Sequence, residues 1–435
     1  MKGIRRALCI LLVTAMLCAP SLAEEERLAV GLFSGAMLID RDGEVLIPLG
    51  EYQAIYPLTG GAFAFVDMES GKYALGNETG AVTEFLYDFI EAQGDTIYCV
   101  EGPCYGVLTP EGEQAVPCQY TYLTHNGEGG YLGLRTDPYD ENPDGVYHLD
   151  GDGAETPTGV KVLHVYARMQ EGLLPAMSTE NGMYGYLGGD GLWAIAPQYE
   201  YAGPFVEGRA AATASTGAGL ISPEGSWLVT PQYDYVDNPE TPGKYRYATG
   251  EAGVCLIDND TWRVARRFPG GSAFSAQGYV VVTSGGETVL FGPEGDEKFR
   301  LSDEYIISAW DIQGERVVVS RGEWGEEGYC LYDMTGEPVS DGYQWIVSMG
   351  NGLFAAARFQ VEKRAYQEGA LTLNEEVPGT MREGCLDGEG QLIIPMEYEI
   401  LYALSHDRLW TEKDGKGYLC DEKGQVIQEY DISLP

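Results

Sequence analysis

The chain has 435 residues, with 67 acidic and 27 basic side chains and a formal net charge of −40. A field of that sign repels nucleic acid and anionic lipid, so we expect no nucleic-acid partner. With 44% hydrophobic residues the chain is too apolar for disorder, and its 59 Gly, 22 Pro and 30 Tyr predict an all-β protein with many tight turns.

The first element in chain order is a predicted secretory signal peptide over residues 1–23. Three basic residues precede an apolar run that ends at Leu17, and small residues stand before a cleavage position after Ala23. This arrangement predicts a mature chain, residues 24–435, that is secreted or otherwise extracytoplasmic.

Two alternatives compete with the signal peptide. A membrane anchor needs a longer apolar run, because about 20 residues are required to span the hydrocarbon layer. A lipoprotein would use Cys18, but the preceding Leu17 is large where a small residue is wanted. No later apolar stretch approaches the length of a spanning helix, so we expect no membrane insertion after cleavage.

The remaining chain repeats one β unit, which is clearest over residues 182–212. A short strand runs into an Asp/Glu-Gly turn, a second apolar strand ends at a proline, and a Tyr-x-Tyr segment follows. The turn glycines recur about every 32 to 41 residues, a spacing typical of repeat arrays and propeller blades. They are Gly43, Gly80, Gly112, Gly153, Gly191, Gly225, Gly295, Gly336, Gly390 and Gly424, with Asp260 where one more is expected.

The unit resembles the WG repeat of bacterial secreted and surface proteins, most closely over residues 197–210 and 231–235. The Trp-Gly pair of that family is replaced here by pairs such as Tyr184-Gly185, and the literal Trp324-Gly325 lies upstream of its expected place. The resemblance implies a repeat protein of the bacterial surface or exterior, and it carries no catalytic residues.

These repeats predict a single domain of about ten four-stranded units over residues 24–435. A unit cannot bury its own faces, so neighbours must stack. A β-propeller, as one large ring or two smaller ones, is favoured over an open β-solenoid, because the chain begins with the last strand of a unit and ends with the first half of one. We therefore expect the two ends to complete a shared blade.

Two segments interrupt the repeat. Residues 136–144 form a polar loop, and the insertion 359–382 has the alternation of a protruding hairpin. Such an insertion either carries binding or is neutral.

The mature chain has seven cysteines: Cys99, Cys104, Cys118, Cys255, Cys330, Cys385 and Cys420. Only the first three form a tight group, in which one disulfide is possible, and we expect most of the seven to pack as small apolar residues. No Cys/His spacing predicts zinc, and the four histidines, His125, His148, His164 and His406, have no carboxylate or cysteine at ligand spacing.

Most prominent carboxylates recur at the same turn position, which indicates that they cap the turn backbone. The segment from Asp150 to Glu155 is similar to the start of a calcium loop, but it lies at a repeat turn and lacks the spacing to a bidentate glutamate. A catalytic pair should occur once rather than in every unit, so we expect no catalytic, metal-binding or cofactor-binding residue.

Six tyrosines recur at one register, and such aromatics either pack between units or present a stacking surface for glycans: Tyr120, Tyr122, Tyr199, Tyr201, Tyr233 and Tyr235. The sequence thus predicts an extracytoplasmic, non-enzymatic interaction scaffold whose partner is a protein or a glycan at the cell envelope or outside the cell. The alternative is a propeller-type glycosidase or lyase that uses a carboxylate pair.

Overall fold

The computed structural model describes residues 27–32, 34–135, 145–239, 241–366 and 371–433. The predicted signal peptide and the polar loop 136–144 lie outside these residues. Within them the chain forms β-strands and one short 3₁₀ turn, Thr59–Gly61, and holds no helix that could cross a membrane. The predicted all-β class is confirmed.

The chain divides into two compact units, one of residues 51–303 and one of residues 1–50 with 304–435. The unit of residues 51–303 holds seven four-stranded antiparallel sheets, which we call blades 2 to 8. In chain order they are blade 2, β4 (Ala54–Pro57), β5 (Phe63–Val66), β6 (Tyr73–Asn77) and β7 (Gly80–Ala81); blade 3, β8 (Phe89–Gln93), β9 (Thr96–Glu101), β10 (Cys104–Leu108) and β11 (Gln114–Tyr120); blade 4, β12 (Tyr122–His125), β13 (Tyr131–Arg135), β14 (Gly145–Leu149) and β15 (Glu155–Pro157); blade 5, β16 (Val162–His164), β17 (Leu174–Ser178), β18 (Tyr184–Leu187) and β19 (Trp193–Tyr199); blade 6, β20 (Tyr201–Ala202), β21 (Ala210–Ala214), β22 (Gly217–Ile221) and β23 (Trp227–Tyr233); blade 7, β24 (Tyr235–Val236), β25 (Tyr245–Gly250), β26 (Gly253–Asp258) and β27 (Val264–Phe268); and blade 8, β28 (Ser272–Ala276), β29 (Tyr279–Ser284), β30 (Glu287–Phe291) and β31 (Glu297–Ser302).

The other unit holds the first blade and the last three. They are blade 1, β1 (Arg27–Leu32), β2 (Gly35–Asp40) and β3 (Val45–Tyr52, whose last two residues pass into the other unit); blade 9, β32 (Tyr305–Gln313), β33 (Arg316–Arg321) and β34 (Tyr329–Asp333); blade 10, β35 (Trp345–Gly350), β36 (Leu353–Arg358), β39 (Arg382–Leu386) and β40 (Leu392–Tyr398); and blade 11, β41 (Ile400–Ser405), β42 (Arg408–Lys413), β43 (Lys416–Asp421) and β44 (Val426–Asp431). A separate hairpin of β37 (Val361–Tyr366) and β38 (Leu371–Glu376) leaves blade 10 within the insertion, as the alternation predicted.

Eleven blades are present in the described residues, rather than about ten. Blade 7 is the one whose turn lacks the usual glycine. Its turn is one residue longer, and Trp262 takes the positive φ, 57°, that glycine supplies elsewhere. The Asp258 carboxylate accepts the backbone N–H groups of Asp260 and Thr261, at 3.0 and 2.9 Å, and so holds the turn without glycine.

The middle strands of the blades are buried on both faces. All four residues of β18 are buried, as are the first five of β36. By contrast, the outer strand β19 alternates between buried and exposed residues. A strand with two buried faces requires a neighbour on each side, so the burial pattern is that of stacked blades.

A bulge recurs between the third and fourth strands of several blades. In blade 5, Tyr184 pairs with Tyr199 and Tyr186 with Ile195, so two extra residues of β19 fold over β18. A Cβ on Gly185 would lie 2.5 Å from the Ile195 carbonyl oxygen and 2.7 Å from the Pro197 nitrogen. The second residue of the Trp-Gly pair is therefore glycine because the bulged strand lies directly over it.

The same register shift occurs in blades 3, 6 and 10, opposite Gly106, Gly219 and Gly384. The first residue of the pair varies between blades and is not always aromatic, whereas the second is glycine wherever the bulged strand lies over it.

The prediction of a blade shared by the two chain ends is wrong. Strands β1 to β3 form a sheet of their own, and β44 completes the sheet of blade 11. The hairpin of β1 and β2 closes a loop of a few residues, whereas a shared blade would pair segments almost 400 positions apart. Pairing between neighbouring segments therefore has the lower entropic cost of loop closure.

Blades 1 and 11 instead pack side by side. The Tyr402 hydroxyl donates to the Gly31 carbonyl at 3.1 Å, and Arg41 forms an ion pair with Asp407. An open β-solenoid would leave its first and last sheets apart, so this contact, together with the repeated blades, confirms the predicted β-propeller fold.

Candidate ligand-binding site

The six recurrent tyrosines divide into buried and exposed members. Tyr120 and Tyr199 are buried, and the Tyr199 hydroxyl donates to the Gly225 carbonyl of the next blade at 3.0 Å. Tyr122 and Tyr233 are half-buried. Packing between units, one of the two roles predicted for the six tyrosines, is correct for this set.

Tyr201 and Tyr235 depart from that pattern. Their side chains are 46% and 48% exposed, although each follows a packed tyrosine by two positions. The second tyrosine of each segment begins the first strand of the next blade, Tyr201 in β20 and Tyr235 in β24, so its ring does not share the packing of the first tyrosine. The repeat thus presents two equivalent aromatic rings to solvent on consecutive blades.

Further aromatic rings adjoin Tyr201. Tyr166 is 39% exposed and stacks on Tyr201 with ring centroids 5.8 Å apart and planes 20° apart. His164 also stacks on Tyr166, at 5.8 Å and 22°, and Tyr184 meets Tyr166 edge-on at 5.6 Å. We call Tyr166, Tyr201 and Tyr235 the tyrosine cluster.

Two hydroxyl groups of this cluster donate hydrogen bonds within the protein. The Tyr166 hydroxyl donates to the Ala202 carbonyl, and the Tyr235 hydroxyl donates to Asp237 Oδ1 at 3.4 Å. Burial raises the pKa of both phenols, and the neighbouring Asp237 carboxylate raises the pKa of Tyr235 further. Both rings therefore stay neutral and carry a hydroxyl that is polarised toward an acceptor.

A cavity of about 170 Å³ lies between blades 6 and 7, and we call it the blade 6–7 cavity. Its lining combines two rings of the tyrosine cluster with small apolar and polar groups: Tyr201, Gly203, Pro204, Ala211, Ala212, Thr213, Ala218, Asp234, Tyr235, Val236 and Asn238. The alanines of β21 leave room beside the rings, because larger side chains there would fill the space. This is a concave, mostly apolar surface with a few polar groups, the usual composition of a binding pocket.

A buried polar cluster adjoins the cavity at Asn238. The Arg246 side chain is fully buried, and its Nη1 donates to Asn238 Oδ1 at 2.8 Å and to the Asp237 carbonyl at 3.1 Å. Ser275 donates to the Asp237 carboxylate. These bonds hold Asp237 and Asn238 in place, so the segment that follows Tyr235 is rigidly positioned.

Two arginines share one indole ring in this cluster. The guanidinium carbons of Arg209 and Arg246 lie 5.4 and 5.7 Å from the ring centre of Trp262. Arg209 Nε and Arg246 Nη2 have no hydrogen-bond partner in the described residues. The attraction of each guanidinium group to the indole ring face therefore offsets the burial of these two nitrogen atoms.

The family described as WG containing repeat matches four segments of the chain, residues 37–73, 184–213, 219–246 and 384–416. The chain is a WG repeat-containing protein. The second and third of these segments cover Tyr201, Tyr235 and the bulge glycines Gly185 and Gly219, so the candidate site of this WG repeat protein lies in its most regular repeats.

No curated protein matches the chain. Among solved structures, one described as the eukaryotic initiation factor is 9% identical over 69% of this chain and 84% of its own, with a TM-score of 0.38. BamB from Moraxella catarrhalis is 13% identical over 75% and 92%, with a TM-score of 0.30. PorZ, a surface component of the type-IX secretion system of Porphyromonas gingivalis, is 11% identical over 94% and 68%, with a TM-score of 0.23.

A second cavity of the WG repeat protein, of about 280 Å³, lies at turns of blades 3 to 5. Its lining is more polar and includes His125, Arg168 and Glu171. His125 Nδ1 accepts the Gly127 N–H at 3.0 Å, Arg168 pairs with Glu91 at 2.8 Å, and Glu171 accepts the Gly208 N–H at 2.8 Å. These three polar groups of the cavity are thus already bonded to other residues of the protein.

The carboxylates that recur at turns cap the backbone, as the sequence predicts. Asp150 Oδ1, the first oxygen of the calcium-like segment, accepts the N–H groups of Asp152 and Ala154 at 3.0 and 2.8 Å. Glu155 pairs with Arg135 and accepts the Tyr120 hydroxyl at 2.5 Å. No group of three metal-ligating side chains forms anywhere in the described residues of the WG repeat protein.

The predicted cysteine group comes together in part. Cys99 and Cys118 have sulfur atoms 3.4 Å apart, on either side of Gly106, and each described cysteine is a free thiol. The four histidines are not brought to one place. His148 contacts Asn126 at 3.2 Å and His406 lies 3.7 Å from Asp407, in a different unit of the WG repeat protein.

Sequence reasoning missed the exposure of Tyr201 and Tyr235. Their register is shared with Tyr122, which packs, so the pattern alone does not separate the two groups. The signal lay in the next strand, where the run Ala210–Ala214 is too small to cover the rings.

Proposed function

We propose that this WG repeat protein is an extracytoplasmic, non-enzymatic binding scaffold, and that its ligand docks at the blade 6–7 cavity. The observation that carries the proposal is the exposure of Tyr201 and Tyr235 at a register where Tyr122 of blade 4 is half-buried. A partly exposed tyrosine beside a cavity is the kind of side chain that contributes most at interfaces. The predicted signal peptide, residues 1–23, supports the location outside the cytoplasm.

The carboxylates of the two cavities support a scaffold over a glycosidase. Each cavity has one carboxylate among its described lining residues, Asp234 in the blade 6–7 cavity and Glu171 in the other. Glycoside hydrolysis ordinarily uses two, about 5 to 10 Å apart. Glu171 is also held by the backbone of a neighbouring turn.

The test compares ligand capture by the wild type and by a Tyr201→Leu/Tyr235→Leu variant. Both baits are immobilised and exposed to cell envelope and culture medium of the source. We expect a ligand that the wild type retains and the double variant loses. Trp310→Leu is the matched control, because Trp310 is 64% exposed but lies in blade 9.

A variant that lacks residues 361–376 of the hairpin tests the insertion at the same time. Loss of the captured ligand in this variant, with retention in the tyrosine variant, would move the site to the insertion and refute the proposal. A glycan-hydrolysis screen of the purified protein tests the enzymatic alternative, which turnover abolished by one Asp or Glu substitution would establish.

A further inference from the structure

Building on the proposed function, we propose that the blade 6–7 cavity binds a cationic side chain, Lys or Arg, from a basic segment of a partner protein. The inference deepens the scaffold proposal by naming the chemistry of its ligand. It rests on the rings of the tyrosine cluster, on the carboxylates beside them and on the charge of the chain.

The rings present electron-rich faces. The Tyr235 hydroxyl donates to the Asp237 carboxylate, and the Tyr166 hydroxyl donates to the Ala202 carbonyl. A phenol that donates a hydrogen bond places more electron density on its ring, which strengthens the negative potential over the ring face. Such faces attract ammonium and guanidinium groups.

A carboxylate precedes each exposed ring of the cavity. Glu200 stands directly before Tyr201 and Asp234 directly before Tyr235, and both acidic residues are exposed. Their backbone N–H groups make the same bond, to Thr213 O and Thr249 O respectively, each at 2.8 Å. The acidic and aromatic groups therefore repeat together from one blade to the next, which suits a ligand with more than one positive charge.

The lining itself supplies no positive charge. The described residues that line the blade 6–7 cavity include Asp234 but no Lys or Arg. Arg209 and Arg246 lie near by, but they are buried against Trp262 and are absent from the lining. An incoming cation therefore meets aromatic faces and a carboxylate without a competing basic residue.

The charge of the whole chain favours the same partner. A net charge of −40 attracts basic proteins and steers their approach. The cavity volume of about 170 Å³ is below the range of small-molecule pockets, so it suits one side chain that projects from a larger partner.

The experiment measures binding of fluorescein-labelled octa-arginine and octalysine to the full chain by fluorescence anisotropy in about 0.15 M salt. A polycation binds any strongly acidic protein to some extent, so the decisive quantity is the change in Kd on substitutions that keep the net charge. We expect Tyr201→Leu/Tyr235→Leu to raise Kd by at least about fivefold, because the cation–π contacts are lost. Tyr201→Phe/Tyr235→Phe keeps the rings and is expected to retain most of the affinity.

Trp310→Leu controls for loss of an exposed aromatic elsewhere and is expected to leave Kd unchanged. Thermal unfolding of each variant confirms that the fold is intact. Equal affinity of the wild type and the leucine variant overturns the inference, because attraction would then come from charge alone. Binding of neutral oligosaccharides that depends on the two tyrosines, without such dependence for the basic peptides, overturns it as well.

These outcomes separate the inference from the proposed function. If the captured ligand depends on Tyr201 and Tyr235 but is a glycan, the scaffold stands and the cationic ligand does not. If neither the captured ligand nor the peptides depend on the two tyrosines, both proposals fall.

Discussion

The Tyr430 hydroxyl of blade 11 donates to the Gly43 carbonyl of blade 1 at 2.7 Å, across 387 positions of the chain. Tyr199 makes the equivalent bond from blade 5 to Gly225 in blade 6 at 3.0 Å. Blade 11 thus contacts blade 1 through the same hydrogen bond that joins two consecutive blades of the chain. The contact between the first and last blades is therefore an ordinary contact between repeats, made without a shared sheet.

Replacement of Tyr430 by phenylalanine should loosen this contact. Burial raises the pKa of Tyr430 to about 12, so the hydroxyl is protonated and donates at neutral pH. Tyr430→Phe removes one buried hydrogen bond and is expected to lower the free energy of unfolding by about 1 kcal/mol. Hydrogen exchange measures the effect, and the turn at residues 40–44 should lose protection.

Tyr199→Phe is the matched control for that variant. It removes the same bond inside the other unit, so it should destabilise the turn at residues 222–226 and leave residues 40–44 protected. Faster exchange at residues 40–44 in Tyr199→Phe, or none in Tyr430→Phe, would contradict the assignment of this bond to the contact between blades 1 and 11.

The bulge glycines should resist the smallest substitution. Gly185→Ala places a methyl group 2.5 Å from the Ile195 carbonyl oxygen and 2.7 Å from the Pro197 nitrogen. Backbone atoms of a buried strand cannot move away cheaply, so we expect a loss of about 1 to 3 kcal/mol in urea unfolding. Gly31→Ala is the control, since nothing lies within 4 Å of a methyl group there. Equal stability of the two variants would show that the bulge tolerates a side chain.

Much of this fold follows from the sequence because the turns are marked by residues with special backbone properties. Turn glycines such as Gly191 mark each blade before any tertiary contact is known. The strand end predicted at the proline is wrong, because β19 continues through Pro197 to Tyr199. Blade 7 was harder to count, because Trp262 adopts the left-handed conformation without glycine and is held by the contacts of Asp258 and two arginines. The repeat pattern could not predict which sheet contains β1, because a terminal strand has the same composition in the first sheet and in the last.

The candidate site was less predictable, for a reason that lies in neighbouring strands. Tyr122 and Tyr201 hold the same place in recurrent Tyr-x-Tyr segments, yet Tyr122 is half-buried and Tyr201 is 46% exposed. The difference depends on which side chains the adjacent strands contribute, and on the stacking of Tyr166, which stands outside the recurrent register. Such cross-blade contacts are tertiary, so the Tyr-x-Tyr segment alone does not reveal them.

The paired cysteines of blade 3 should be the first to oxidise together. Their sulfur atoms are 3.4 Å apart, so a disulfide needs them to approach by about 1.4 Å. With iodine as a two-electron oxidant, both thiols lose their protons and peptide mapping should find Cys99 joined to Cys118. Cys104→Ser should leave this product unchanged, whereas Cys118→Ser should abolish it. A product that joins Cys104 to either partner would contradict the prediction.

The stability of blade 11 should depend on the ionisation of Glu412. Burial raises the pKa of this carboxyl, the Trp410 indole N–H that donates to it at 3.0 Å opposes the rise, and the neighbouring Glu399 adds to it. A carboxyl whose pKa is raised on folding favours the folded state while it is protonated, and that contribution is lost as the pH rises through the folded pKa.

Glu412→Gln keeps an oxygen for the indole and removes the charge. Relative to wild type it should gain stability at pH 7.5, and the gain should shrink as the pH falls toward 4.5, as measured by urea unfolding. Glu422→Gln, at an exposed turn of the same blade, controls for the change in net charge, and an equal pH dependence in both variants would refute the role of burial.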